Sequence, residues 1–424
     1  MKILILYDRF STHTNTVFDH LDSFRKYSKF EYYYVHGQQV SPSIDLNQFD
    51  VLIIHYSVRV AHDLIVKEFY NQIKTCKCFK ILFVQDEYEN TNAVIRAIKD
   101  LDIRIVYTCV PKKNIYKIYP KELIKITEFI ETLTGYSPDI KKLRFNKLTP
   151  IAKRKIIIGY RGNDLPFHYG DLGQEKKNIA KIMTRECSNR GLKYDISYKS
   201  SKRIYGKEWL SFMKGCKATL GTESGSNLFD YDNKIKNKFL KYKEIFTHAD
   251  YKSARLSVLG RTKEKKIMNQ ISPRIFEAIS LKTALVLYEG KYSNIIKPNI
   301  HFIPLKKDCS NIEDVFKKLS NNDFLQDMVD RAYHDVISSN KYSYSAFIDK
   351  FDKKLSSESQ KIKKNSKYSH KNFDNRALSA YPRKPKKIRR FILGNTFNIA
   401  ITKLSRFLPR WLKYLIKLLI IKIR

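Results

Sequence analysis

Apolar residues come in short unbroken runs along this chain. In the first 110 residues these are KILILYD (2–8), EYYYVH (31–36), VLIIHYS (51–57), KILFVQD (80–86) and IRIVYTCV (103–110). Most are continuous rather than alternating, which predicts strands buried on both faces. Between them lie amphipathic stretches of helix length, such as NTVFDHLDSFRKY (15–27) and HDLIVKEFYNQIK (62–74). Strand and helix in turn predict an α/β sheet. A helix is expected at ELIKITEFIETL (122–133), and proline-marked, charge-rich sequence follows it. This gives a first domain over 1–140 and a linker over 141–154. The pattern restarts at KIIIGYRG (155–162), with strands expected at 194–199, 217–223, 283–289 and 300–305. A second unit of similar kind therefore covers 155–340. Helices are expected at 311–319, 323–337 and 344–355, the last forming a closing helix within 341–356. Residues 357–387 are polar and basic and read as a flexible linker. Residues 388–424 form a separate tail.

Composition allows more than one domain and sizeable cores, with 424 residues of which 43% are hydrophobic. The formal charge of +39 is extreme, but Lys is plentiful throughout, so charge alone does not establish a polyanionic partner. Its distribution is more informative. From Lys361 to Arg424 there are 19 Lys or Arg against one acidic residue, Asp374. Six cysteines include one close pair, Cys76 and Cys78, with no second pair to complete a zinc site. Reduced thiols in a cytoplasmic protein are expected. The opening MKILILYDRF is too short in its apolar run for a signal peptide and reads as a first strand.

Three segments of the second unit carry a family likeness: IIIGYRGNDLPFHYGDLGQEK (156–176), ATLGTESGSNLFDYD (218–232) and SPRIFEA (272–278). Together they resemble the donor-binding half of GT-B-fold glycosyltransferases. In these enzymes two Rossmann-like doubly wound domains face each other across a cleft. The resemblance covers about 150 residues, and the first domain only through its α/β pattern. It implies transfer of a sugar from a nucleotide-sugar donor to a cell-surface glycan, a lipid-linked sugar or a protein. It implies no cofactor and no metal, the diphosphate being held by Arg and Lys.

Ligands of open α/β sheets bind outside the carboxyl ends of the strands. SPRIFEAISL starts a helix there, with Ser272 suited to the N-cap and Pro273 to the first turn. Arg274 and Glu277, three apart, share a face. The resemblance gives Glu277 to the donor's ribose; the plainer reading is a surface pair of Glu277 with Arg274. Retaining members often carry an acidic residue eight positions earlier, where this chain has Asn269. Either the reaction is not of the retaining type, or that role moves to another carboxylate such as Glu223. The family's Arg and Lys correspond to Arg161 and Lys176, with Lys177 competing. Gly221, Ser224, Gly225 and Ser226 form a small-residue loop whose N–H groups could approach phosphate, or an ordinary β-α turn. Asp230 and Asp232 make a D-x-D string, a pattern short enough to arise by chance, as at Asp100 and Asp102. In the first domain, Asp86, Glu87 and His13 are candidates for a general base or for binding acceptor hydroxyls. Asp86 also suits a helix cap, and His55 a satisfied histidine near the core.

The tail ends RFLPRWLKYLIKLLIIKIR, with basic residues at 406, 410, 413, 417 and 424 on one helical stripe. Lysines interrupt it too often for a bilayer span. It reads as a helix lying in an anionic membrane surface, which places the protein at the inner face of the cytoplasmic membrane. Packing against the domains is the alternative. A nucleic-acid-binding protein without catalysis is a rival reading of the charge, although no recognition motif is present. A catalytically inactive sugar-binding or scaffold protein is another.

Overall fold

The computed structural model describes residues 1–124, 127–138, 148–261, 264–265 and 267–362. The flexible linker beyond residue 362 and the tail at 388–424 lie outside the described residues, as does the first half, 141–147, of the stretch read as the linker at 141–154.

Two sheets carry the described chain. The first is β2-β1-β3-β4-β5-β6, comprising β1 Lys2–Tyr7, β2 Glu31–His36, β3 Val51–Ile54, β4 Phe79–Phe83, β5 Ile105–Thr108 and β6 Glu128–Glu131. The second is β11-β10-β9-β7-β8, comprising β7 Ile156–Arg161, β8 Tyr194–Ser197, β9 Cys216–Gly221, β10 Ala284–Tyr288 and β11 Ile303–Leu305. Every neighbouring pair is parallel. The fold is therefore mixed α/β with two Rossmann-like sheets, as the resemblance implied.

Parallel strands need both faces covered, and the sequence supplies apolar residues for both. In β1, Leu4 and Leu6 enter one core while Ile3, Ile5 and Tyr7 enter another. The first core is closed by helices α2 (Lys67–Thr75) and α3 (Thr91–Asp100), and the second by α1 (Asn15–Tyr27). A short helix, α4, spans Ile115–Ile118. The second sheet is covered by α5 (Gly170–Asn189), α6 (Gly206–Lys214), α9 (Pro273–Ser280), α10 (Ile312–Ser320) and α11 (Asn322–Ala332). Helices α7 (Lys234–Ile245) and α8 (Tyr251–Leu259) form a hairpin between β9 and α9.

The chain then returns. Helix α12 (Tyr344–Ser357), capped by Ser343, lays Phe347, Ile348, Phe351 and Leu355 into the first sheet's core. Asp352 accepts bonds from Ser28 Oγ at 2.7 Å and the Lys29 N–H at 2.9 Å.

Two expectations need correction. The segment read as a helix over 122–133 holds β6 instead. Its Glu-Phe-Ile-Glu suits an edge strand, and β5 would otherwise present an unpaired backbone edge. Phe129 stacks on Tyr119 at 4.8 Å, which anchors it. The stretch read as a helix from residue 62 begins only at Lys67, because left-handed Arg59 and Asp63 bracket a short turn before it.

Candidate active site

In both sheets the strand order reverses beside the first strand, between β1 and β3 and between β7 and β9. Crevices open at such points, outside the carboxyl ends of the strands. Each sheet has one. The second sheet's cavity holds about 190 Å³ and is lined by Gly162 and Asn163 after β7, Gly221 and Thr222 after β9, Lys176 of α5 and Arg274 of α9. The first sheet's cavity holds about 220 Å³, with Ser11 after β1, His55 and Tyr56 after β3, and Asp86 and Glu87 after β4.

The two halves touch around these openings. Glu89 and Asp230 form a parallel bridge, with the Asp230 N–H donating to the Tyr88 carbonyl at 2.9 Å. The Thr134 hydroxyl donates to the Ile271 carbonyl at 2.6 Å, and Asn114 Nδ2 to the Ile267 carbonyl at 2.9 Å. Glu89 accepts from Arg59 of its own half and from the Tyr169 hydroxyl of the other, with His62 Nε2 2.8 Å from the same carboxylate. Burial pushes its carboxyl upward, but those bonds and the Arg59 charge outweigh burial and hold it at about 2.

Lys176 and Arg274 supply the positive charge of the second cavity. Neither meets a carboxylate in an ion pair among the described residues. Arg274 lies over the Trp209 ring at 5.2 Å and donates to the Arg161 carbonyl. Burial, with help from the Arg274 charge, pulls Lys176 down to about 8, while Asp86 of the other half and Glu175 act against that pull. Lys177, one residue on, points elsewhere and pairs with Asp164 at 2.6 Å.

Several candidates stand differently from expectation. Arg161 ends β7 as expected, yet its guanidinium grips both Asp195 oxygens on β8, at 2.8 and 2.7 Å, and rests on Phe212. Its fork is spent on an edge strand rather than aimed into the cavity. One oxygen of Glu277 accepts from Trp209 Nε1 at 2.7 Å, so it steadies the indole lining the cavity. Ser224 lines the cavity, but its N–H donates to the Gln270 carbonyl at 2.7 Å in a two-residue antiparallel bridge and is not open to phosphate. Gly225, at φ +103°, is required by close approach: a Cβ there would lie 2.3 Å from the Met268 carbonyl oxygen.

Glu223 is buried and accepts three bonds. Asn269 Nδ2 donates at 2.6 Å, the Lys291 N–H at 3.0 Å and the Tyr292 N–H at 2.9 Å. Asn227 Nδ2 in turn donates to Asn269 Oδ1 at 2.9 Å. Asn269 thus orients Glu223, and Glu223 fixes the turn after β10. The D-x-D string is a helix start: Asp230 caps the N–H groups of Ile235 and Lys236, and Asp232 pairs with Lys234. Among the described residues no group of three or more His, Cys, Asp or Glu is placed to hold a metal.

In the first half, Asp86 does not cap α3, whose N-cap is Asn90; it accepts from the Tyr88 hydroxyl at 2.8 Å and faces the cavity. Glu87 beside it is buried, accepting from Tyr119 at 2.5 Å, from Thr108 at 2.7 and 2.8 Å, and from the Cys109 N–H at 3.2 Å. Burial outweighs these bonds and raises Glu87 to about 7. His13 binds the Phe10 carbonyl through Nδ1 at 2.9 Å and meets Tyr205 of the other half edge-on. His55 is fully buried, as expected, in contact with His20.

Sequence reasoning missed Trp209, Tyr169 and Glu89. One of only two tryptophans in the chain offered a signal; Tyr169 stood inside the 156–176 segment and Glu89 just after the run at 80–86, neither with a local feature to mark it.

No protein-family model matches the chain, and no curated protein matches it. Among solved structures it is similar to Anabaena Alr3699/HepE in complex with UDP and glucose, at 10% identity over 84% of this chain and 100% of that one, with a TM-score of 0.45. It is also similar to sucrose-phosphate synthase from Thermosynechococcus elongatus, at 6% identity over 85% and 100%, with a TM-score of 0.45. The N-terminal domain of Candida albicans trehalose-6-phosphate phosphatase aligns at 10% identity over 84% and 97%, with a TM-score of 0.47.

Proposed function

We propose that this chain is a GT-B glycosyltransferase. It moves a sugar from a nucleotide-sugar donor to a cell-surface glycan, lipid-linked sugar or protein. The observation that carries the reading is the pair of cations, Lys176 and Arg274, facing a cavity at the carboxyl end of the second sheet and in no ion pair with a carboxylate among the described residues. A half-buried ammonium whose proton is already loosened by its surroundings favours an anion beside it.

In this reading the donor's diphosphate lies between Lys176 and Arg274, and Trp209 offers a face to the rest of the nucleotide. As the bond from the anomeric carbon to the phosphate oxygen breaks, negative charge builds on that oxygen. Fixed cations lining the cavity stabilise that charge in the transition state more than in the ground state. The acceptor hydroxyl attacks the anomeric carbon and its proton passes to Asp86, across the opening. Glu87 stands behind it, and His13 is the other first-half group at the interface. No cofactor and no metal takes part, and the leaving group is a nucleoside diphosphate.

The test is a panel of nucleotide sugars, read by thermal stabilisation and then by release of nucleoside diphosphate. Ligands that bind only the folded state raise its stability as RT ln(1 + [L]/Kd). At least one should raise the melting temperature and be turned over, at a rate that EDTA leaves unchanged. A panel that neither binds nor reacts removes the reading; loss of rate in EDTA, restored by Mn²⁺ or Mg²⁺, removes its metal independence.

The basic tail at 388–424 carries the membrane part of the proposal from its sequence alone. No described helix is long and apolar enough to cross a membrane. Deleting residues 380–424 is expected to release the protein from membranes while turnover of soluble substrates persists; unchanged sedimentation with membranes refutes this.

A further inference from the structure

The α7–α8 hairpin concentrates two surface features. Nine large apolar side chains are exposed among the described residues, and four of them, Leu240, Ile245, Phe246 and Leu256, fall in this one hairpin. Ile245 is the most exposed of all at 72%, with Phe246 beside it at 52%, both where α7 ends and the turn begins. From Asn233 to Arg261 eight Lys or Arg stand against two acidic residues, Glu244 and Asp250. Lys238 and Lys241, on the exposed side of α7, meet no acid among the described residues. The body of the protein holds only the other side of the hairpin. Phe239 is buried, and Phe167 contacts both Phe239 and Tyr251.

We infer that this hairpin docks on an anionic lipid surface, with Ile245 and Phe246 entering the interface and the α7 lysines facing the headgroups. Exposed apolar groups at a helix end, ringed by lysine, suit the boundary between headgroups and acyl chains. Charge complementarity chooses the occupant. The chain's own last 64 residues are themselves basic, so they are not drawn to this surface. A purely polyanionic partner would use the lysines but would gain nothing from Ile245 and Phe246. The surface acts together with the tail, neither alone holding the protein on a membrane, and it does not depend on the reaction proposed above.

The test uses the full chain. Phe246→Trp places a reporter at the hairpin's end, and its emission is compared with the parent protein to remove the signals of Trp209 and Trp411. With vesicles of phosphatidylglycerol and phosphatidylcholine, the added emission should shift to the blue and be quenched by brominated acyl chains. Ile245→Ser with Phe246→Ser, both at exposed positions, should weaken binding to these vesicles at least tenfold. No added quenching in Phe246→Trp, or unchanged vesicle binding in the double variant, overturns the inference. So does a result in which Lys238→Gln with Lys241→Gln abolishes retention on heparin and leaves vesicle binding intact, for the partner would then be a soluble polyanion.

Discussion

Replacing Lys176 by Ala is expected to lower turnover of the nucleotide-sugar donor by about 10²- to 10³-fold, the cost typical of removing one preorganised charge from a transition state. Arg274→Ala should behave similarly, whereas Lys177→Ala should change turnover little. The adjacent lysine is a full-strength control for bulk charge, because it pairs with Asp164 on the outside. Donor binding should also depend on pH in a direction fixed by Lys176. Free, it releases its proton near 8. A bound diphosphate raises that value, so affinity is level below about pH 8 and weakens as pH climbs above it, by up to roughly tenfold per unit. Lys176→Arg keeps its charge throughout this range and should remove the slope, even if its bulk lowers affinity. Calorimetric titration between pH 6.5 and 9.5 measures both. Lys176→Ala within threefold of the parent rate, with a level pH profile, would take Lys176 out of the mechanism.

Acid should unfold the first half well before ordinary carboxylate chemistry requires it. His20 and His55 are buried with Nδ1 and Nε2 3.0 Å apart, and one must donate to the other as a neutral ring. Burial drives His20 down to about 3 and His55 well below the usual imidazole value of 6.5, with His20 adding to the latter shift. Below pH 6.5 the unfolded chain therefore binds up to two protons that the folded chain refuses. Each contributes about 1.4 kcal/mol of lost stability per pH unit. Glu87 acts in the other direction. Its folded carboxyl holds a proton up to about 7, against 4.5 when unfolded, so it stabilises the folded state as pH falls from 7 to 4.5. The net is about one proton, and stability should fall by roughly 1.4 kcal/mol for each unit between pH 6.5 and 4.5. Glu87→Gln removes the opposing group and should steepen the fall toward twofold; His20→Phe should flatten it. Urea midpoints from pH 7.5 to 4.5 decide the matter. A midpoint that stays level across this range would mean that the two rings are not buried as a neutral pair.

Apart from β6, the strands of both sheets were legible, most of them because a continuous apolar run announces burial on both faces without reference to neighbours. The termini of α1 matched for the same local reason. What could not be read was anything decided by an adjoining element. β6 looks helical until an unpaired β5 edge needs it. Arg161 was placed correctly at a strand end, but β8 sets Asp195 against it, and no spacing in the sequence announces that pair. Ser224 stood in a loop that could offer its N–H to phosphate or be an ordinary turn, and Gln270, 46 residues later, takes that N–H. Lys176 and Lys177 differ by one residue and about 100° around a helix, so only the packing of α5 separates the cavity cation from the solvated one. Glu223 illustrates the same limit. Its side chain stands close to where a sugar contact was sought, but two N–H groups after β10 and Asn269 already hold its carboxylate.

Helix α12 belongs to the first sheet by packing and to the far end of the described chain by sequence, and this bears on synthesis. Phe347, Phe351 and Leu355 leave the ribosome more than 200 residues after the last strand they cover. The sheet at the amino end therefore waits with one aromatic face covered only by α1 while the second sheet is made and folded, so the part of the protein translated first is the part completed last.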